Sequence, residues 1–380
     1  MFSKLFQWFK KIYLAPFSVI MGTGPDALGA WPTMLDVTST LDPQGNTAGI
    51  VELLQQQNPI LLDAPWVEGN TPLGHQVNVR TGIPAITWTS WYQGVPPTKS
   101  TYAKVLEACA TGEQRSEIDK KAADFNGNSA SFRLKELKGA IEGINQGLAQ
   151  AMLYGNSSTN PQQFNGLDPR FNSLEAGNGG NIIDAGGQNG TGTLGANALT
   201  SIWFIGWGGD TVHFIFPKGQ KGGLQREDLG VFDAFDANGN RFRAVGDHLM
   251  INCGLAVEDW RYIVRIANID MAALRSGNGA ADLIGLMMDA LHIPPMVGEV
   301  RSGQGAYGTG VNGAAPIPLM PNPVFYVTRK VAAILDRQAQ LKSGFTLKTG
   351  SDVFGRPITY CRGVPVRSVD QLSETESRIT

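Results

Sequence analysis

The chain has 380 residues, 42% of them hydrophobic, 17% charged and 47 of them Gly, enough apolar material for roughly two to three lobes with fewer charges than the roughly 25% usual in soluble domains. A net charge of −2 supplies no overall positive field, which argues against nucleic-acid binding as the main task. Cys109, Cys253 and Cys361 are odd in number, far apart and without CxxC spacing, which suits a reducing compartment and provides neither a disulfide framework nor a metal site.

Phe2, Leu5, Phe6, Phe9, Ile12 and Tyr13 fall on one helical face with Lys4, Lys10 and Lys11 elsewhere, so Met1 to Ala15 reads as a short basic amphipathic helix that docks on a partner or on its own fold. Export and membrane-surface binding are the lesser readings, because Pro16 interrupts the apolar run and the first residues are more apolar than the charged start of a signal. No later run reaches the ~18 apolar residues of a membrane span. Gly22 to Asn46 is loop-like, and Thr47 to Gln57 forms a short helix stopped by Asn58-Pro59. Residues 1 to 74 therefore resemble an arm that must lie on something else.

From His75 to Cys109 apolar residues alternate around a break at Gly94-Val95-Pro96-Pro97, predicting a long two-stranded ribbon. Trp88, Trp91 and Tyr92 cluster on it and are candidate anchors for an interface. Gln114 to Asn126 is expected to be a charged helix. Ser129 to Tyr154 is a longer one, with Leu134, Leu137, Ile141, Ile144, Leu148 and Met152 at steps of three and four. A second stripe, Gly139, Gly143 and Gly147, costs on the order of 1 kcal/mol per Gly relative to Ala, so a strand or loop should cross that face closely. Gly155 is expected to end the helix as a left-handed residue.

Residues 156 to 199 read as a long polar loop with one apolar interval at Asn181 to Ala185. Thr200 to Phe216 and Asp247 to Asp270 each read as two strands. Asp236 to Gly239 reads as a turn, and Ala280 to Leu291 as an amphipathic helix. Val297 to Asn322 is a second Gly-rich loop, Pro323 to Ala339 a strand entering a helix, and the last 35 residues paired strands with a charged tail. Regular βαβ alternation is missing, so the expected class is α+β.

The search for chemistry returns little. GxGxxG spacings at Gly190/Gly192/Gly195 and Gly303/Gly305/Gly308 neither follow a strand nor open a helix. His75, His213, His248 and His292 are isolated in the sequence and read as structural hydrogen-bonding residues rather than ligands. Cys361 reads as an inert buried thiol. Among carboxylates, Asp228 can be paired with Asp233, and Glu258 with Asp259. The latter two are adjacent and point apart. No catalytic residue, metal or cofactor is expected.

Several strings resemble the tailed-bacteriophage major capsid proteins of the HK97-like fold. They are Ile50 to Ile60 with Asp63-Ala64-Pro65-Trp66, Leu153-Tyr154-Gly155-Asn156 with Phe164-Asn165-Gly166-Leu167, Asp259-Trp260-Arg261-Tyr262 with Arg265-Ile266-Ala267-Asn268-Ile269, and Gly363-Val364-Pro365-Val366-Arg367. The resemblance implies an N-terminal arm (1–74), an extended loop lying on a neighbour (75–112), a peripheral domain (113–155 and 236–275) with the 129–154 helix as its spine, an axial domain (156–235 and 276–372) and a tail (373–380). The helix near Val324 to Ala339 and the strand near Gly363 to Val369 follow the peripheral strands here rather than preceding them, which implies a rearranged connectivity. The implied function is self-assembly into an icosahedral shell around phage DNA in the host cytoplasm. Implied partners are other copies, in hexamers and pentamers, scaffolding, portal and decoration proteins, and packaged DNA, with no membrane. An encapsulin-like nanocompartment shell and an exported hydrolase are the alternatives. Lys99 and Lys104 are candidates, by location only, for the Lys–Asn cross-link of some family members.

Overall fold

The computed structural model describes residues 56, 58–124, 129–186, 199–235, 239–276, 281–295, 322–341, 347–351 and 357–380. The expected N-terminal helix with Phe2, Phe6 and Phe9, the 47–57 helix apart from Gln56, and the tip of the 236–239 turn lie outside them.

In chain order, α1 (Ile60–Asp63) is a single turn started by Pro59, and β1 (Trp66–Glu68) follows. The ribbon is β2 (Gly74–Gly82) and β3 (Thr101–Ala108), antiparallel with Val77 opposite Val105 and His75 opposite Glu107. Then come β4 (Ala110–Asp119), α2 (Lys120–Ala123) and α3 (Ser129–Tyr154). Strands β5 (Ile182–Asp184), β6 (Leu199–Trp207), β7 (Val212–Phe216), β8 (Leu224–Phe235), β9 (Arg241–Val257) and β10 (Ile263–Asp270) precede α4 (Met271–Ser276) and α5 (Leu283–His292). The chain closes with β11 (Asn322–Val327), α6 (Arg329–Leu341), β12 (Leu347–Ser351), β13 (Pro357–Cys361) and β14 (Val364–Ser368).

The described residues fall into two compact units. The smaller holds Arg115–Gly139 and Arg226–His248, and the larger holds the remainder from Gln56 onward. In the small unit, Asp247 is buried and accepts from the guanidinium groups of Arg133, at 3.1 Å, and Arg226, at 2.7 Å, while Arg133 also reaches Asp228 at 2.7 Å. Ile118, Ala123 and Phe132 form its apolar centre. Of the expected 114–126 helix, residues 114–119 are strand and 120–123 are helical (α2): β4 pairs with β9, and the backbone bonds of a sheet neighbour outweigh the weak helical preference of a short charged stretch.

The large unit is organised on β6, every residue of which is buried. β6 pairs antiparallel with β10 on one side and with β11 on the other, and β11 continues to β14 in parallel. A strand flanked on both edges and covered on both faces has no solvent side, hence its unbroken apolar run. One face carries Trp203, Ile205 and Trp207 with the end of α3, and the opposite face carries Ile202 and Phe204 with α5 and α6. Trp207 Nε1 donates to Tyr326 Oη at 2.7 Å, and Tyr326 Oη donates to Asp63 Oδ2 at 2.7 Å, with Arg367 closing the chain on the other Asp63 oxygen. Tyr326→Phe leaves the buried Trp207 N–H without a partner. It should cost about 1–3 kcal/mol, read from the urea midpoint of the unassembled chain.

Helix α3 spans the residues its periodicity predicts, but its end is made differently. Gly155 is absent from the left-handed residues. A Cβ there would come within 2.6 Å of the Phe164 carbonyl, and one on Gly166 within 2.6 Å of the Met152 carbonyl. These two glycines let residues 164–167 close over the last turn, where Gly166 N donates to Gly155 O at 2.8 Å and Leu167 N to Met152 O at 2.9 Å. Free helix carbonyls are thus satisfied by a returning loop.

Residues 369–380 do not form a solvated tail. Val369, Leu372, Glu376 and Ile379 are buried. Arg265 sends its guanidinium to Glu376 Oε2 at 2.9 Å, Asp168 Oδ1 at 2.7 Å and Phe171 O at 2.8 Å, over the Trp203 ring at 4.8 Å. Tyr154 Oη donates to Glu376 Oε1 at 2.7 Å, and burial followed by that carboxylate pushes the phenol pKa up. Asn268 takes a positive φ of 59° within the irregular stretch of β10, a conformation Asn tolerates. Its side-chain amide clasps the Ile379 backbone through two bonds of 2.9 Å.

Candidate assembly surface and the root of the ribbon

The ribbon stays paired only as far as Gly82 and Thr101, and residues 83–100 carry its aromatic end. Trp88, Trp91 and Tyr92 are 85%, 90% and 105% exposed, in the company of Ile83, Ile86 and Val95. Tyr92 has a φ of 68° in a turn closed by a Gln93 N to Ser90 O bond of 3.2 Å. So many large apolar side chains this exposed within one segment are unusual for a chain alone in water. The three aromatics named from the sequence are therefore each exposed.

The ribbon's root is fixed by charge. Glu107, buried, accepts a two-pronged bond from Arg170 at 2.6 and 2.7 Å, and Arg170 also donates to the Gly166 carbonyl at 3.0 Å. Planar guanidinium and carboxylate matched in this way set direction as well as distance. Nearby, His75 Nε2 lies 3.1 Å from Glu258 Oε1. The histidines expected to be isolated are thus only partly so. His75 and His213 meet edge to face with centroids 5.7 Å apart, although 138 positions separate them in the chain. Glu258 and Asp259 do diverge, the first to His75 and the second to Arg261 at 2.7 Å.

The Gly stripe needs a correction. Among the described residues, nothing lies within 4 Å of a Cβ built on Gly139 or Gly147, and Gly143 meets only the Gln114 side chain at 3.6 Å. No strand or loop of the described chain crosses the stripe. Gly143 and Gly147 instead help line an open groove of about 290 Å3, with Leu148, Phe164, Ile251 and Cys253. The apolar stripe is also less enclosed than its period implies: Leu134 and Ile141 are exposed, Met152 fully buried. Periodicity names a face without saying whether the same chain covers it. The three cysteines are free, and burial pushes the thiols of Cys109 and Cys253 up to about 11 and about 12, which disfavours the reactive thiolate.

Among solved structures, the chain is 31% identical to one in the cryo-EM structure of bacteriophage Epsilon15, over 91% of this chain and 97% of that one, with a TM-score of 0.68. Fold and ribbon together define a shell-forming phage capsid subunit of the HK97-like fold. Residues 42–380 match the family model described as Major capsid protein GP7, and the chain belongs to that family. More distant are the bacteriophage JBD30 capsid, 11% identical over 85% of this chain and 93% of that one with a TM-score of 0.44, and the holo-SrpI encapsulin of Synechococcus elongatus PCC 7942, 12% identical over 59% and 92% with a TM-score of 0.40. No curated protein sequence matches. No helix among the described residues is long and apolar enough to cross a membrane.

Proposed function

We propose that copies of this chain close into an icosahedral shell of hexamers and pentamers around DNA in the host cytoplasm, and that the chain catalyses nothing. The observation that carries the assembly reading is the exposed aromatic end of a rigidly rooted ribbon. Trp88, Trp91 and Tyr92 gain by burial on a neighbouring copy, and a closed shell lets every subunit do so. In this reading residues 1–74 are the arm, with Phe2, Phe6 and Phe9 as further contacts. Residues 75–112 are the loop laid on the neighbour, residues 113–155 and 236–275 the peripheral domain, and residues 156–235 and 276–372 the axial domain. The Gly143 and Gly147 groove is a receiving surface for such a neighbour. Scaffolding, portal and decoration proteins are expected partners of the finished particle.

Expression of the full chain, followed by sedimentation and electron microscopy, tests this directly. Hollow particles of uniform size are the expected product, and a chain that stays monomeric up to high concentration would contradict the reading.

A further inference from the structure

We propose that His75, His213 and Glu258 bind one divalent transition-metal ion of the zinc class, which staples the root of the ribbon to the central sheet. The three come from separate places: His75 from the start of β2, His213 from β7, and Glu258 from just beyond the end of β9. Backbone pairing fixes two of them, since β7 runs antiparallel to β9 with His213 opposite Ala256, and Glu258 N donates to Thr211 O at 2.8 Å. Each of the three residues offers one donor atom, and these atoms lie within 4.8 Å of one another.

What points to a ligand is the state of the imidazoles. His213 is wholly buried, and neither of its ring nitrogens meets a partner at full hydrogen-bonding geometry, although the Gly208 carbonyl lies beside the ring. Buried polar atoms of this kind are rarely left unsatisfied. A neutral imidazole, with a lone pair on one ring nitrogen, is the form that ligates a metal. Two imidazoles and a carboxylate suit zinc-like ions, whose bonds of about 2.0–2.2 Å place tetrahedral donors roughly 3.3–3.5 Å apart. His75 Nε2 and Glu258 Oε1 already stand at 3.1 Å, so the closure required is mainly a turn of side chains toward His213. His75 and Glu258 are partly exposed, which leaves an entry path and room for water as the fourth ligand. The exposed carboxylate of Asp210 adds negative potential beside Glu258.

The consequence is mechanical. His75 begins the strand that leads to Trp88, Trp91 and Tyr92, so an ion held here fixes the direction in which the ribbon leaves the domain.

The test uses the untagged full-length chain, stripped with chelator and titrated with Zn2+ by calorimetry and with Co2+ by visible absorption. One ion per chain is expected, with Co2+ bands of four-coordinate intensity and a thermal midpoint raised by Zn2+ and lowered again by chelator. His75→Gln and Glu258→Gln, at partly exposed positions and so tolerant of change, should each weaken binding at least tenfold. His292→Gln, at an exposed histidine elsewhere, should leave it unchanged. Failure to take up either ion, or equal uptake by the His75 and Glu258 variants, would overturn the site and leave His75 and Glu258 as a simple polar pair. Shell formation does not enter this readout, so the assembly reading stands or falls separately.

Discussion

Arg265→Ala should lower the stability of the subunit by about 3–5 kcal/mol, the cost usual for removing one partner of a buried ion pair. The loss is large because Arg265 is 1% exposed and Glu376 stays behind with Ser201 and Tyr154 as its partners, an uncompensated charge in a poorly solvated place. Arg265→Lys keeps the charge but loses the fork that serves Glu376, Asp168 and Phe171 together, and should cost less. Glu376→Gln should cost least, since its one amide oxygen still accepts from Ser201, its NH2 can donate to the Tyr154 oxygen, and Arg265 keeps Asp168 as a counter-charge. Trp203 lies under the guanidinium, so its fluorescence reports unfolding in urea where the change occurs. An Arg265→Ala chain within 1 kcal/mol of the parent would show that the network is ornamental. Should that variant fail to fold, the ordering of the other two still decides the matter.

Trp88→Ala with Trp91→Ala should do the opposite: leave the subunit folded and abolish its assembly at ordinary concentrations. Both side chains are at least 85% exposed in the single chain, and surface substitutions that remove no buried contact usually change stability by no more than about 0.5 kcal/mol. Buried on a neighbour, a pair of tryptophans behaving as anchors is worth about 2–4 kcal/mol per subunit, which raises the concentration needed for assembly by roughly 30- to 700-fold. Sedimentation of parent and variant at matched concentrations reads this out, with circular dichroism as the check on folding. Normal yields of particles would remove the tryptophans from the interface.

The family strings now have physical meanings. Phe164 to Leu167 closes the end of α3, Asp63 anchors Tyr326 and Arg367, and Arg265 with Asn268 holds residues 369–380 in the core. Each of these strings forms one half of a long-range contact whose other half lies elsewhere in the chain.

The sequence by itself determined the α+β class, the limits of α3, the ribbon with its aromatic cluster, and most strands of the large unit. These follow from local causes: apolar period, Gly and Pro breaks, and the resemblance of particular strings. Tertiary structure alone decided the rest. Residues 114–119 became strand because β9 offered a ladder that local propensity could not foresee. Gly155 proved to be a position of close approach rather than of left-handed backbone, because a loop eleven residues on returns over it. The Gly139, Gly143 and Gly147 face opened onto a groove or onto space, since a period along one helix contains nothing about what stands opposite. His75, His213 and Glu258 converge only through the pairing of β7 with β9 and the docking of β2; their spacing in the chain carries no trace of it. Sequence records which residues want burial or a partner, and the pairing of distant strands decides which partner each one meets.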